Sequence, residues 1–157
     1  WATGGSTTAL AATISAAQLP PGSYKFRVRG CTVSSLFSYC ADWRESATLT
    51  IAKPGSPAKV TASVNTAGNV SVTWTAVKGA SGYQVEKKFD RGAWQSQSNS
   101  TSTSLMISAA NAAAGTYQFR VRACRGGYDS TSKCSGWTES PVVTKKPLIP
   151  PPKSLSP

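Results

Sequence analysis

The sequence predicts an all-β protein, an antiparallel β-sandwich present in two tandem copies, the first truncated and the second complete. Thr, Ser, Val, Gly and Pro are abundant and long Leu/Glu/Lys helical stretches are missing, which favours strands. Short apolar–polar alternations recur between turn-rich breaks such as NTAGN and KGASG. The phrase GSYKFRVRGCTVSSLFSYCADW also returns later in the chain as GTYQFRVRACRGGYDSTSKCSGW.

The two phrases align position by position, which indicates a tandem array of one domain type. Trp1 aligns with Trp94, and one extra residue between the second pair of cysteines aligns Trp43 with Trp137. The other aligned pairs are Ile14 and Ile107, Gly22 and Gly115, Tyr24 and Tyr117, Phe26 and Phe119, Val28 and Val121, Cys31 and Cys124, and Cys40 and Cys134. We therefore divide the chain into the C-terminal part of one domain (1–52, copy one), a linker (53–56), a complete domain (57–145, copy two) and a Pro-rich tail or linker (146–157).

Copy two contains several short segments in which apolar residues alternate with polar ones, the pattern of half-buried strands. The apolar positions are Val70, Val72 and Trp74, then Tyr83 and Val85, then Leu105 and Ile107, then Tyr117, Phe119 and Val121, and finally Val142 and Val143. Short strands at this spacing, without helical periodicity, predict an antiparallel sandwich of about 90 residues.

Copy one has no counterpart of the segment 57–93, so we expect it to lack its first three strands. Without them the inner face of its remaining strands, including Ile14, Phe26 and Val28, should be exposed. We expect copy one to be completed by another chain or by residues outside this sequence, or else to be the less ordered half.

The order of VSVTW, GYQVE, GTYQFRVRAC and SGWTES resembles a fibronectin type III domain, whose fold is an immunoglobulin-like sandwich. Trp74 matches the core tryptophan of the family's second strand, and Tyr117 and Tyr24 match the tyrosine that opens its sixth strand. The cysteine-paired form is similar to domains of bacterial secreted and surface proteins, including YD-repeat (Rhs-like) and polysaccharide-associated multidomain chains. The resemblance implies a spacer and interaction module that positions other domains.

The resemblance also suggests a pairing for the cysteines. The family's sixth and seventh strands are hydrogen-bonded neighbours, which implies disulfides Cys31–Cys40 and Cys124–Cys134. A redox or metal role is the alternative, although the spacing is not that of a zinc finger and the chain has no histidine. Disulfides in a small β domain indicate an extracellular or cell-surface location.

The outward face of the sixth strand is basic in both copies and is followed by a tryptophan. These residues are Arg27, Arg29 and Trp43 in copy one, and Arg120, Arg122 and Trp137 in copy two. In one interpretation the arginines cover the indole and pair with Glu86 across the sheet. In the other, the face binds an acidic polysaccharide, a cell-surface polymer or nucleic acid.

The loops between the paired cysteines differ between the copies. The first carries Leu36, Phe37 and Tyr39, and the second is polar with Tyr128 near its middle. We consider these residues candidate loop contacts for a protein partner. The alternative, packing of Leu36 and Phe37 on a neighbouring domain, stays open.

The remaining features argue against a catalytic function. The net charge is +11, there is no histidine, and the six acidic residues show no metal-site spacing, so we predict no catalytic residues, no metal and no cofactor. No apolar run approaches the roughly 20 residues that span a bilayer. The predicted function is a non-catalytic spacer and interaction module of a larger extracellular protein. The alternative is a binding module for an acidic polymer.

Overall fold

The computed structural model describes residues 5–15, 19–33, 37–128 and 132–147, and all regular secondary structure in these ranges is β. The strands of copy one are β1 (Gly22–Tyr24), β2 (Arg27–Val28), β3 (Cys31–Val33), β4 (Ser38–Cys40), β5 (Arg44–Glu45) and β6 (Leu49–Ile51). The strands of copy two are β7 (Val60–Val64), β8 (Val70–Trp74), β9 (Gly82–Phe89), β10 (Gln95–Ser100), β11 (Ser104–Ile107), β12 (Gly115–Cys124), β13 (Thr138–Glu139) and β14 (Val143–Lys145). The predicted all-β fold class is confirmed.

Copy two is a sandwich of two antiparallel sheets. One sheet has the order β11-β8-β7, and the other has the order β10-β9-β12-β13, with β14 pairing further along β12. β12 is the longest strand, and β9 pairs with it continuously from Phe89 opposite Tyr117 to Gly82 opposite Cys124. The second sheet is therefore organised around the β9–β12 pair.

The core of copy two is made from alternate strand positions, because successive side chains of a strand point to opposite faces of its sheet. Buried side chains between the sheets include Val70, Val72, Trp74, Tyr83, Val85, Ile107, Tyr117, Phe119 and Val121. Burying each large side chain contributes roughly 1.5–3 kcal/mol, so this cluster is the main stabilising element. One predicted position differs: Val142 is 58% exposed, because β14 begins only at Val143.

A tyrosine at the start of the sixth strand closes the preceding loop in both copies. The hydroxyl of Tyr117 donates a hydrogen bond to the carbonyl oxygen of Ala113 (2.9 Å), and that of Tyr24 donates to the carbonyl oxygen of Pro20 (2.7 Å). Each bond spans four residues, as in the tyrosine corner of immunoglobulin-like sandwiches. The aligned tyrosines thus make the same local contact.

β10 has no apolar alternation, since its sequence is QSQSNS. Its backbone pairs with β9, and the register shifts between Ser96 and Ser98. It is an edge strand of the second sheet, and its polar side chains and its irregularity are features that discourage pairing with other chains.

Copy one is built from short two-stranded pieces, in which β1 pairs with β6, β2 with β5, and β3 with β4. Its apolar side chains are not enclosed: Ile14 is 50% exposed, Phe26 37% and Val28 70%. The aligned residues of copy two, Ile107, Phe119 and Val121, are 9%, 0% and 0% exposed. The described part of copy one therefore does not form an enclosed core.

The linker is attached to copy two. Pro54 and Pro57 are buried. The Ser56 hydroxyl donates to the carbonyl oxygen of Gly136 (3.0 Å), and the Thr138 hydroxyl donates to that of Pro57 (2.7 Å). Most of the predicted Pro-rich tail, residues 148–157, lies outside the described residues. Within the described ranges, no helix has the length and apolar character that crossing a bilayer would require.

Candidate functional site

The candidate site of copy two lies on the outer face of its larger sheet. Along β12 the inward side chains enter the core, which leaves Arg120 and Arg122 on the opposite face. In the register of the sheet, Glu86 stands beside Arg120 and Gln84 beside Arg122. The pairing of β9 with β12 therefore sets which partner each arginine meets.

Indole rings and guanidinium groups alternate across this face. The guanidinium carbon of Arg120 lies 4.6 Å from the ring centre of Trp94 and 4.7 Å from that of Trp137. The guanidinium carbon of Arg122 lies 4.6 Å from the ring centre of Trp137. We call the series Trp94, Arg120, Trp137 and Arg122 the Arg–Trp face. The ammonium group of Lys88 approaches the Trp94 ring at 5.9 Å, near the limit of a cation–π contact.

Hydrogen bonds to neighbouring side chains of β9 hold both arginines on the outer face of the sheet. Arg120 donates from Nε to Oε2 of Glu86 at 2.8 Å, and its Nη2 lies 2.6 Å from the same oxygen. Arg122 donates from Nε to Oε1 of Gln84 at 2.7 Å. The Arg120 and Glu86 side chains are each 24% exposed, so solvent screens this ion pair less than a fully exposed one. Each guanidinium is thus held both by stacking and by a fixed acceptor.

The equivalent cluster in copy one is smaller and more open. Arg27 and Arg29 both lie 4.5 Å from the ring centre of Trp43. Trp43 is 43% exposed, and the ion pair between Lys25 and Glu45 is about half exposed at 3.5 Å. The aligned Trp1 lies outside the described residues. The sequence identified Arg27, Arg29 and Trp43 as candidate site residues. It did not predict a hydrogen-bond acceptor for the two arginines.

Both disulfides are present in the structure, Cys31–Cys40 and Cys124–Cys134, each with a Cα–Cα distance of 4.0 Å. Each pair consists of directly opposed residues on antiparallel segments. The copy-two disulfide is buried, whereas Cys31 and Cys40 are exposed. Their four sulfur atoms are thereby committed to structure, and no cysteine is free.

The candidate loop residues differ in how far their side chains are exposed. Phe37 is 70% exposed and Tyr39 79% exposed, while Leu36 lies outside the described residues. Tyr128 is half-buried because its ring folds back over Gly82: a Cβ atom added there would come within 2.0 Å of the Tyr128 hydroxyl. Glycine at position 82 therefore makes room for the phenol, which is not displayed at the tip of its loop.

Asp90 and Glu86 act as structural acceptors. The carboxylate of Asp90 accepts hydrogen bonds from the backbone N–H (2.7 Å) and the hydroxyl (2.9 Å) of Thr116, and Glu86 is engaged by Arg120. No three His, Cys, Asp or Glu side chains in the described ranges cluster in a way that could hold a metal ion.

The main site residue that sequence reasoning missed is Trp94. No motif of the sequence marks it as the partner of Arg120 that it is in the structure. Its alignment with Trp1 was the available signal, since Trp1 and Trp94 lie at the same interval before the aligned Gly22 and Gly115. The stack on Arg120 appears only when the turn from β9 to β10 brings position 94 beside the middle of β12.

No protein-family model matches the chain, and no curated protein matches it. Several solved structures are similar to the chain. Domains d3–d4 of the rat CD45 extracellular region are 16% identical, with a TM-score of 0.50, over 92% of this chain and 75% of that one. The FN1–FN3 domains of chicken CNTN1 are 18% identical (TM-score 0.50, 82% of this chain and 43% of that one). Domains A168–A170 of titin are 16% identical (TM-score 0.50, 82% and 55%).

At these identities the likeness establishes the fold alone. The FN1–FN3 domains of chicken CNTN1 are among the similar structures, and the strand order of copy two is that of a two-sheet antiparallel sandwich. The predicted fibronectin type III β-sandwich is therefore confirmed as the fold of this protein.

Proposed function

We propose that this chain is a non-catalytic spacer and interaction module of a larger extracellular or cell-surface protein, in which it positions neighbouring domains. Fibronectin type III domains commonly act in this way in multidomain proteins. Fold by itself does not assign a ligand. The proposal therefore depends on how the surface and the linker of this particular chain are arranged.

The observation that carries the proposal is the internal satisfaction of the Arg–Trp face. Arg120 is stacked between two indoles and paired with Glu86, and Arg122 is stacked on Trp137 and bonded to Gln84. An incoming anion would compete with these contacts. A face whose cations are already held by its own sheet is better suited to stiffening a module than to capturing a ligand.

The linker provides the second support. A spacer transmits position only if its connections resist bending, and proline restricts the backbone dihedral φ. Here Pro54 is buried, the Ser56 hydroxyl ties the linker to Gly136 of copy two, and Thr138 holds the buried Pro57 that follows the linker. The segment between the copies is thus packed against the domain that follows it.

The extracellular assignment is supported by the disulfides, since such bonds persist in oxidising compartments and are common in small secreted domains. A secreted or surface protein of bacteria, as the cysteine-paired form suggests, is the context that we propose.

Backbone ¹⁵N relaxation of the full chain tests the spacer role. We expect residues of copy one and copy two to share one rotational correlation time, because the buried linker limits independent motion. The variant Pro54→Gly/Pro57→Gly should separate the two values. Independent tumbling of the two copies in the unaltered chain would contradict a positioning role.

A second candidate, binding of an acidic polysaccharide, surface polymer or nucleic acid, is favoured by the net charge of +11. The test is retention on heparin at increasing salt. The variant Arg120→Gln/Arg122→Gln is compared with Lys59→Gln/Lys78→Gln, which removes two exposed charges elsewhere. If the face binds polyanions, the arginine variant alone should lose affinity and flatten the salt dependence. If both variants have equal, small effects on retention, the protein is attracted to heparin only through its overall positive charge. That outcome favours the spacer function.

A further inference from the structure

Copy one contacts the disulfide-closed loop of copy two through a glycine. A Cβ atom added at Gly126 would lie 3.0 Å from the backbone N and Cα of Pro20 and 3.2 Å from its Cγ. Two carbon atoms are best separated by about 3.5–4.0 Å, so the space beside Gly126 has no room for a side chain. The backbone of copy two therefore packs directly against a proline of copy one, at a place separate from the linker.

Hydrogen bonds hold the copy-two side of this contact. The backbone N–H of Gly126 donates to Oγ of Ser81 (3.1 Å), and the backbone N–H of Ser81 donates to the carbonyl oxygen of Cys124 (2.8 Å). The backbone N–H of Arg125 donates to the carbonyl oxygen of Lys133 (2.9 Å) across the loop. Gly126 has a φ of +71°, in the left-handed region that glycine adopts without steric cost. Copy two thus fixes the position of Gly126 by its own contacts.

The copy-one side of the contact is fixed as well. The Tyr24 hydroxyl holds the carbonyl oxygen of Pro20 at 2.7 Å. Tyr24 lies on β1, where it pairs with Leu49, and Gly22 pairs with Ile51. The turn that carries Pro20 is therefore tied to the strand pair that leads into the linker. Two surfaces that each have a fixed shape lose little conformational entropy when they dock.

The burial of copy one is concentrated around this turn. Among its described residues, 19–21 and Tyr24 are partly buried and Ile51 is buried. Arg27, which stacks on Trp43, is the one other described position of copy one that is not exposed. The turn that meets copy two, together with the strand pair that holds it, is thus the most enclosed part of copy one.

The glycine distinguishes the loop of copy two from that of copy one. Two positions after the first cysteine of the loop, copy two has Gly126 and copy one has Val33. A side chain at this position would occupy the space in which Pro20 lies. The repeated sequence therefore does not require a glycine here, whereas the contact with Pro20 does.

We propose that the loop 125–128 of copy two is a docking surface for the turn 19–21 of copy one, and that this intramolecular joint sets the angle between the copies. The linker is anchored on copy two by the hydrogen bond from Ser56 to Gly136. Either contact alone leaves a pivot, and the two together restrict rotation. The joint rests on the proposed spacer function and names the surface through which the spacer holds its angle.

Nuclear magnetic resonance of the full chain tests the joint directly. We expect a nuclear Overhauser effect between the Pro20 ring protons and the Gly126 α-protons. The variant Gly126→Ala should abolish it, shift the amide resonances of 22–24 in copy one, and shorten the rotational correlation time of copy one relative to that of copy two. These amides are distant in sequence from position 126, so their shifts report the lost contact.

The matched control is Gly68→Ala. Gly68 also has a left-handed φ, of +82°, but it lies in the turn before β8, whereas Ser81 and the loop 125–128 lie at the end towards which β8 runs. Alanine costs similar backbone strain at both glycines, and the control should leave the resonances of 22–24 in place. Equal shifts in the two variants would overturn the joint, because they would come from strain in copy two.

A substitution in copy one covers the case in which Gly126→Ala does not fold. Pro20→Ala should shift the amide resonance of Gly126 and leave that of Phe119, in the core of copy two, unchanged. An unchanged Gly126 resonance would overturn the joint. Absence of the Overhauser effect in the unaltered chain, with one correlation time for both copies, would overturn the joint and leave the spacer function standing. Two correlation times in the unaltered chain would overturn both.

Discussion

The substitution Arg120→Met separates a structural Arg–Trp face from a ligand-binding one. Methionine keeps an unbranched stem of similar reach but removes the guanidinium, so the apolar contacts along the stem are largely preserved. What is lost is specific: two cation–π contacts, at 4.6 and 4.7 Å, and the ion pair with Glu86 at 2.6 Å.

The magnitude follows from these contacts. Each cation–π contact at this partly exposed site contributes about 0.5–1 kcal/mol. The Glu86 pair contributes up to about 1 kcal/mol, because both side chains are 24% exposed and the pair is only partly screened. The expected loss in the free energy of unfolding is about 1–3 kcal/mol. Arg122→Met, with one indole and a neutral acceptor, should cost about half as much.

Urea denaturation of the full chain, followed by far-UV circular dichroism, measures both values without relying on tryptophan fluorescence. A double-mutant cycle with Trp94→Leu isolates one stacking contact, with an expected coupling of about 0.5–1 kcal/mol. A cost for Arg120→Met below about 0.5 kcal/mol, or below that of Arg122→Met, would refute the assignment of this face as structural.

Two further changes probe copy two. Replacing Cys124 and Cys134 by Ser should lower the free energy of unfolding by about 3 kcal/mol in the chain-entropy model, since the disulfide closes a loop with a sequence separation of 10; a urea midpoint unchanged from that of the parent would contradict this. Tyr117→Phe removes the hydrogen bond to Ala113 and should cost about 1 kcal/mol by the same assay. Burial raises the pKa of the Tyr117 phenol above its ordinary value of 10.0, so its contribution is complete below that pH and is lost as the pH rises through the raised pKa; thermal unfolding should show this alkaline loss diminished in Tyr117→Phe.

The parts of the fold that sequence could predict are those whose side chains carry the signal. In β8 and β12 every second residue enters the core, so apolar alternation marks both the strand and its buried face. β10 carries no such signal, because backbone hydrogen bonds to β9 position it at an edge and its side chains contribute little to the core. Backbone pairing of that kind is independent of side-chain polarity.

The candidate site likewise has some features that the sequence predicts and others that it does not. The alternation that buries Phe119 also predicts that Arg120 faces outward, and this follows from the period of a strand. The position of Trp94 over Arg120 depends on the turn after β9, and the position of Tyr128 depends on the missing side chain of Gly82. Both are tertiary contacts between segments distant in sequence, and a single sequence contains no periodic pattern that reports them.

The two copies show what the middle strand of the larger sheet contributes, since their sixth strands are nearly identical in sequence. In copy two the phrase GTYQFRVRAC forms one continuous strand, with eight residues paired to β9. In copy one GSYKFRVRGC is divided among β1, β2 and β3, which pair only on the other side within the described residues. Phe119 and Val121 are buried in copy two, whereas their counterparts Phe26 and Val28 are exposed in copy one. Strand propensity is thus not sufficient to fix a ten-residue strand here, because its continuity in copy two accompanies a neighbour on the β9 side.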